Sequence, residues 1–194
     1  MKLFKRNKLF TLIVLLTVIT FIIGLLIPSM LDMNINNEIS SNLKLFMNTI
    51  MNNKLNSSYL KDLVINNSIF ITIISLLGIS IIGIPVIIFL YITKVMLISL
   101  ELCYLIMNIS KYNILVIFIY IIPKLINLLL ILLLVYFAIS FSIILIKVIF
   151  FNKKNNLRTY LIRYLKIIVA ILFIALVNSY LEYYLFLRII KYLI

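Results

Sequence analysis

The feature that most constrains this chain is an uncharged apolar run over residues 68–93, SIFITIISLLGISIIGIPVIIFLYIT. About 20 residues of α-helix cross the roughly 30 Å hydrocarbon core of a bilayer, so the run predicts one transmembrane span. It holds Gly78, Gly83 and Pro85. Glycine removes side-chain bulk and proline frees a backbone carbonyl, so we expect a kinked helix that a neighbouring helix contacts closely.

The composition of all 194 residues is that of an integral membrane protein, with 65% hydrophobic residues, 12% charged residues and a mean hydropathy of +1.28. The net charge is +13, but the basic residues cluster at the ends of apolar runs. The positive-inside rule and anionic headgroups explain that placement, so the predicted partners include membrane lipids and exclude nucleic acid.

The residue inventory also limits the chemistry, because the chain has no histidine and a single cysteine, Cys103. These counts exclude Ser-His and Cys-His catalysis, an internal disulfide, and every metal site that needs histidine or paired thiolates. The chain also lacks the residues that intramembrane proteolysis would need. We therefore expect no enzymatic activity, no catalytic residue, no cofactor and no metal.

The distribution of apolar runs predicts an all-α, polytopic transmembrane bundle forming a single membrane domain. The basic N-terminal stretch MKLFKRNK predicts an uncleaved anchor that begins inside, with a secretory signal peptide as the alternative. The acid-free basic stretch after residue 146 predicts a cytoplasmic loop, which puts the C-terminus of this cell-membrane protein outside. The predicted spans are 9–27, 68–93, 95–110, 125–146 and 167–186, with a short or re-entrant half-helix at 112–122.

Residues 29–67 form the predicted extracytoplasmic loop, where polar residues replace the apolar run. Within it, five apolar residues recur at helical spacing and predict a short amphipathic helix. They are Leu43, Phe46, Met47, Ile50 and Met51. This helix would lie either on the outer membrane surface or a partner, or against the protein's own spans.

Two acidic residues inside apolar runs, Glu101 and Glu182, need a structural explanation, because an intramembrane charge costs about 3 kcal/mol on insertion scales. Glu182 ends a small and polar stripe that also contains Ala175, Asn178 and Ser179, which must face other helices. We expect Lys124 to pair with Glu182 near the outer side.

Glu101 is expected nearer the cytoplasmic side, two helical turns after Lys94, which would mark the cytoplasmic end of the second span. Ala138 and Ser142 form a small-xxx-small pair that allows close helix approach. The residues expected to pack helices are Gly78, Gly83, Pro85, Pro123, Lys124, Asn178 and Glu182.

A series of spaced residues from about residue 60 to residue 184 carries a family resemblance. It comprises Asn66-Asn67, LLGISIIGIPVIIFLYITK at residues 76–94, Ile122-Pro123, Ser140-Phe141-Ser142 and SYLEY at residues 179–183. In this order the series resembles the stage II sporulation protein M family.

That resemblance implies a membrane scaffold that anchors and localises a peptidoglycan-degrading complex during forespore engulfment in sporulation. The implied partners are the peptidoglycan hydrolases called stage II sporulation proteins D and P, and self-association stays open. The alternative is a subunit of a membrane transporter or permease, with Glu101 or Glu182 as its intramembrane site. An inert membrane protein without a specific partner is a third reading.

Overall fold

The computed structural model describes residues 2–32, 36–39, 41, 45, 57–107, 114–151 and 157–193. Over these ranges the chain forms an all-α bundle of five long helices that follow one another along the chain, and it contains no strand. The helices are α1 (Lys2–Met30), α2 (Ser57–Gly78), α3 (Gly83–Met107), α4 (Ile114–Phe151) and α5 (Leu157–Leu193).

Each of these five helices contains a stretch that is long and apolar enough to cross a membrane. The stretches are Lys8–Met30, Ser58–Gly78, Gly83–Met107, Tyr120–Phe150 and Leu157–Leu185. Large apolar side chains cover much of their outer surface, such as Leu12 at 61%, Leu129 at 59% and Val169 at 65% exposure. Such side chains suit lipid rather than water, so the five-span prediction agrees with the helices that form.

The run at residues 68–93 is not one kinked span, and this prediction is wrong. α2 ends at Gly78, residues 79–82 turn, and α3 begins at Gly83. Backbone bonds close the turn, from Ile79 N to the Leu76 carbonyl at 3.1 Å and from Ser80 N to the Leu77 carbonyl at 3.0 Å.

The two expected kink formers have a different role, because they shape the start of α3. Pro85 lies in its first turn, where a backbone N–H has no helical acceptor and proline therefore costs nothing. A Cβ on Gly83 would lie 2.0 Å from the Leu77 carbonyl oxygen, so only glycine lets the turn close this tightly.

This division moves the neighbouring boundaries. Residues 57–67, predicted as loop, belong to α2, and residues 95–107 continue α3 instead of forming a separate span. Lys94 consequently lies inside α3 rather than at its end, with its Nζ 5.4 Å from the centroid of the Phe70 ring. The five residues predicted to form an amphipathic helix in the loop lie outside the described residues.

The predicted half-helix at residues 112–122 is also wrong over the part described, because residues 114–122 are the beginning of the continuous helix α4. Residues 112 and 113 lie outside the described ranges. Pro123 and Lys124 separate the predicted half-helix from the predicted span at 125–146, yet both residues lie within α4. The Pro123 carbonyl accepts a bond from Asn178 of α5 at 3.0 Å, and Lys124 pairs with two carboxylates. Both residues are therefore joined to neighbouring helices.

The bundle core lies where α2, α4 and α5 pack on one another, while α1 packs mainly against α3. Along the α1–α3 contact, the hydroxyl groups of Thr17 and Tyr91 are 2.5 Å apart. Further along, a Cβ on Gly24 would come within 1.7 Å of the Ser99 hydroxyl oxygen. This close approach packs α1 directly against α3.

Candidate functional site

A cluster of three charged side chains, Glu101, Lys124 and Glu182, joins α3, α4 and α5 near one end of the bundle. The Lys124 Nζ lies 3.5 Å from Glu101 Oε2 and 3.5 Å from Glu182 Oε1. The side-chain exposures are 39% for Glu101, 16% for Lys124 and 2% for Glu182. Lys124 therefore bridges a partly accessible carboxylate and a fully buried one.

The polar stripe of α5 determines how Glu182 reaches this position. Ala175, Asn178, Ser179 and Glu182 are each at most 4% exposed, so the stripe faces the interior as its spacing predicts. The expected pair between Lys124 and Glu182 is present.

Glu101 also joins the cluster, so the prediction that places it toward the opposite side of the membrane from Lys124 and Glu182 is wrong. It lies 18 residues after the first residue of α3, about 27 Å along the helix axis from the α2–α3 turn. Reading Lys94 as a span boundary put Glu101 at the beginning of the following span, whereas it lies near the end of α3.

Two tyrosine hydroxyl groups complete the surroundings of the carboxylates. Tyr59 of α2 donates to Glu182 Oε1 at 3.4 Å, and Tyr120 of α4 donates to Glu101 Oε2 at 3.3 Å. The Lys124 ammonium also lies 5.2 Å from the centroid of the Tyr120 ring, within the range of a cation–π interaction. Each carboxylate thus contacts both the shared lysine and its own tyrosine.

A second set of polar contacts continues from the cluster into the bundle. Asn67 of α2 donates to the Ser179 hydroxyl at 3.1 Å and accepts a bond from Asn127 of α4 at 3.2 Å. Asn178 donates to the Pro123 carbonyl at 3.0 Å, while its own Oδ1 is buried and has no partner among the described residues. These amides link three helices beside the charge cluster.

The sequence-based site omitted Tyr59, Tyr120 and Asn127. A usable signal existed for Asn127, because an amide inside an apolar span normally bonds to another helix. The tyrosines gave no such signal, since twelve occur in the chain and their ring placement depends on helix packing.

The other predicted packing residues lie at the opposite end of the bundle, around the α2–α3 turn. The Ser142 hydroxyl donates to the Gly78 carbonyl at 2.7 Å and contacts the Ser80 carbonyl at 3.2 Å. A Cβ on Gly78 would lie 3.0 Å from the Ala138 Cβ and 2.2 Å from the Tyr164 hydroxyl. The close approach predicted for Ala138 and Ser142 is therefore present, with α2 as the partner.

The arrangement suits charge neutralisation and helix attachment. Lys124 supplies one cation that pairs with both Glu101 and Glu182. Over the described ranges, no three His, Cys, Asp or Glu side chains are grouped so that they could hold a metal ion.

Comparison of the chain with protein-family models, with curated proteins and with solved structures found no match. The resemblance to the stage II sporulation protein M family consequently rests on the spaced residues of the sequence alone.

Proposed function

We propose that this chain is a non-enzymatic scaffold of the cell membrane, with its N-terminus in the cytoplasm and its C-terminus outside. Following the family resemblance, its role is to anchor and localise a peptidoglycan-degrading complex during forespore engulfment. Its partners in that role are the peptidoglycan hydrolases stage II sporulation proteins D and P.

The observation that carries this proposal is that interior polar side chains join one helix to another. Lys124 connects α4 to both α3 and α5, and Asn67 connects α2 to both α4 and α5. Groups engaged in this way favour one helix arrangement. A rigid membrane platform is the function that needs these contacts and needs no reactive group.

The connections between helices favour partners at the end of the bundle that carries the charge cluster. Residues 31–56 join α1 to α2 at this end, whereas four residues, 79–82, and five residues, 152–156, make the connections at the other end. Connections of four and five residues offer little surface for docking a cytoplasmic ATPase, which argues against a permease subunit.

The beginning of the long connection is fixed to the bundle. The Asn36 side-chain amide donates to the Pro28 carbonyl at 2.8 Å and to the Leu31 carbonyl at 3.0 Å. The Tyr104 hydroxyl of α3 donates to Asn36 Oδ1. If the basic helix ends face the cytoplasm, this segment emerges on the side where peptidoglycan lies.

One observation favours the transporter alternative, because the Glu101 side chain is 39% exposed at the cluster and could meet an ion. Against it, Lys124 already pairs with this carboxylate.

Co-purification from detergent tests the scaffold proposal. The tagged full chain should retain both hydrolases, and Phe46→Ser should weaken that retention because it removes an apolar residue of the predicted amphipathic helix. Asn48→Ser, on the polar side of the same segment, is the matched control and should retain them fully. Failure to retain either hydrolase, together with a solute flux that Glu101→Gln abolishes, would replace the scaffold by the transporter.

A further inference from the structure

A cavity of about 630 Å³ lies between α1, α4 and α5 at the end of the bundle remote from the charge cluster. Lys147, which lines it, follows Lys124 by 23 residues on α4, about 35 Å along the helix. Its volume falls within the range of about 300–1,000 Å³ that ligand-binding pockets show. The cavity is therefore separate from the candidate site and large enough for a ligand.

The walls of this cavity are mainly apolar and partly fixed. On α4 they include Phe137, Phe141 and Ile144, which share one helical face. The Phe141 ring stacks on the Tyr164 ring of α5, with centroids 4.6 Å apart and planes 1° from parallel. The Tyr164 hydroxyl donates to the Ser75 carbonyl at 2.9 Å, which holds this wall in place without a ligand.

Each of the three helices contributes one cation to the cavity lining: Lys8 from α1, Lys147 from α4 and Arg163 from α5. All three are exposed, and no acidic residue is among the side chains that line the cavity. The sequence has no acidic residue at all in positions 2–31 or 102–181, so the segments that build the cavity cannot neutralise these cations. The lining is complementary to an anion.

The ligand must satisfy both the apolar walls and the cations. A small soluble anion would leave the apolar surface unused, and an uncharged lipid would leave three cations unused. Leu12, which lines the cavity, is 61% exposed, so the cavity opens to the outer surface of the bundle where lipid chains lie. The Ser140 side chain, two helical turns before Lys147, adds a hydroxyl group to the lining.

We propose that this cavity binds an anionic phospholipid of the adjacent leaflet, with its headgroup at Lys8, Lys147 and Arg163 and part of an acyl chain along α4. Basic pockets between transmembrane helices bind anionic headgroups by this combination of charge and shape. The site does not depend on the scaffold proposal, because it lies at the other end of the bundle and involves no protein partner.

Native mass spectrometry of the full chain from detergent tests this site, using phosphatidylglycerol and phosphatidylcholine with identical acyl chains. We expect phosphatidylglycerol to bind at least about tenfold more tightly, and Arg163→Gln to weaken it about fivefold. Replacing all three cations by glutamine should weaken it about 100-fold. Equal retention of the two lipids would overturn the proposal.

Two controls separate this cavity from general surface charge. Lys166→Gln removes an exposed cation one turn from Arg163 that does not line the cavity, and it should leave phosphatidylglycerol binding unchanged. Ser140→Phe fills the cavity and keeps every cation, so it should abolish binding at an unchanged unfolding temperature. Three results would each contradict a lipid site. The first is an equal loss of binding in the Lys166 and Arg163 variants, and the second is full binding by a folded Ser140→Phe variant. The third is complete competition by glycerol phosphate.

Discussion

Replacing Lys124 by methionine tests the central electrostatic link of the bundle. Methionine keeps the length and apolar stem of lysine but removes the cation that lies 3.5 Å from each carboxylate. Removal of one partner from a buried ion pair costs about 3–5 kcal/mol, because the other charge stays buried without compensation. We expect that loss in the free energy of unfolding.

Burial predicts how the loss divides between the two carboxylates. Glu182 is 2% exposed and cannot regain hydration, whereas Glu101 is 39% exposed and retains much of it. Most of the cost of Lys124→Met should therefore come from Glu182. The double variant Lys124→Met/Glu182→Gln should recover most of the lost stability, and Lys124→Met/Glu101→Gln should recover little.

The measurement is reversible unfolding in mixed micelles, followed by circular dichroism as a denaturing detergent is added. Lys94→Met is the matched control, because Lys94 forms no ion pair with a described carboxylate and lies 5.4 Å from the Phe70 ring, a contact worth about 0.5–2 kcal/mol. Methionine also makes α4 more apolar, so poor membrane insertion cannot explain a loss of stability.

Two results would refute this reasoning. One is a Lys124→Met variant whose free energy of unfolding is within about 1 kcal/mol of the original chain, since that would leave no cost for a buried uncompensated carboxylate. The other is equal recovery by the two double variants, which would show that burial does not decide the division between Glu182 and Glu101.

Three further predictions concern the two ends of the bundle. Gly83→Ala should lower the free energy of unfolding by about 1–3 kcal/mol, measured by the same unfolding assay, because its Cβ would lie 2.0 Å from a backbone carbonyl of α2. Ser142→Ala should lower it by about 1–3 kcal/mol by removing the 2.7 Å bond to the Gly78 carbonyl, and an unchanged value would show that the bond is dispensable. In a cysteine-free background, an impermeant thiol reagent added to intact cells should label Glu38→Cys and spare Arg158→Cys; the reverse pattern would invert the proposed orientation.

The fold class and the number of spans could be predicted because they depend on apolar content and helix length, which a bilayer constrains directly. The inward stripe of α5 was also predictable, since Asn178 and Glu182 can be buried only against other helices. Its pairing with Lys124 followed from the small number of charges available in the spans.

The errors arose where charge or proline was taken as a boundary. Lys94 lies within α3 beside Phe70, and Lys124 lies within α4 between two carboxylates, so neither needs a membrane interface. Gly83 and Pro85 shape a turn and a helix start, although the same residues are compatible with a kink. Hydropathy cannot distinguish these cases, because the decisive contacts come from other helices.

The position of Lys124 between two carboxylates has a consequence for biogenesis. The ribosome delivers Glu101 on α3 first, Lys124 on α4 next and Glu182 on α5 last. A newly inserted α3 thus carries a carboxylate whose cation has not yet been made, and α4 supplies that cation before the deeply buried acid arrives. Ionic pairing with Glu182 is therefore a late event in synthesis, and a chain truncated before α5 can form only the more accessible of the two ion pairs.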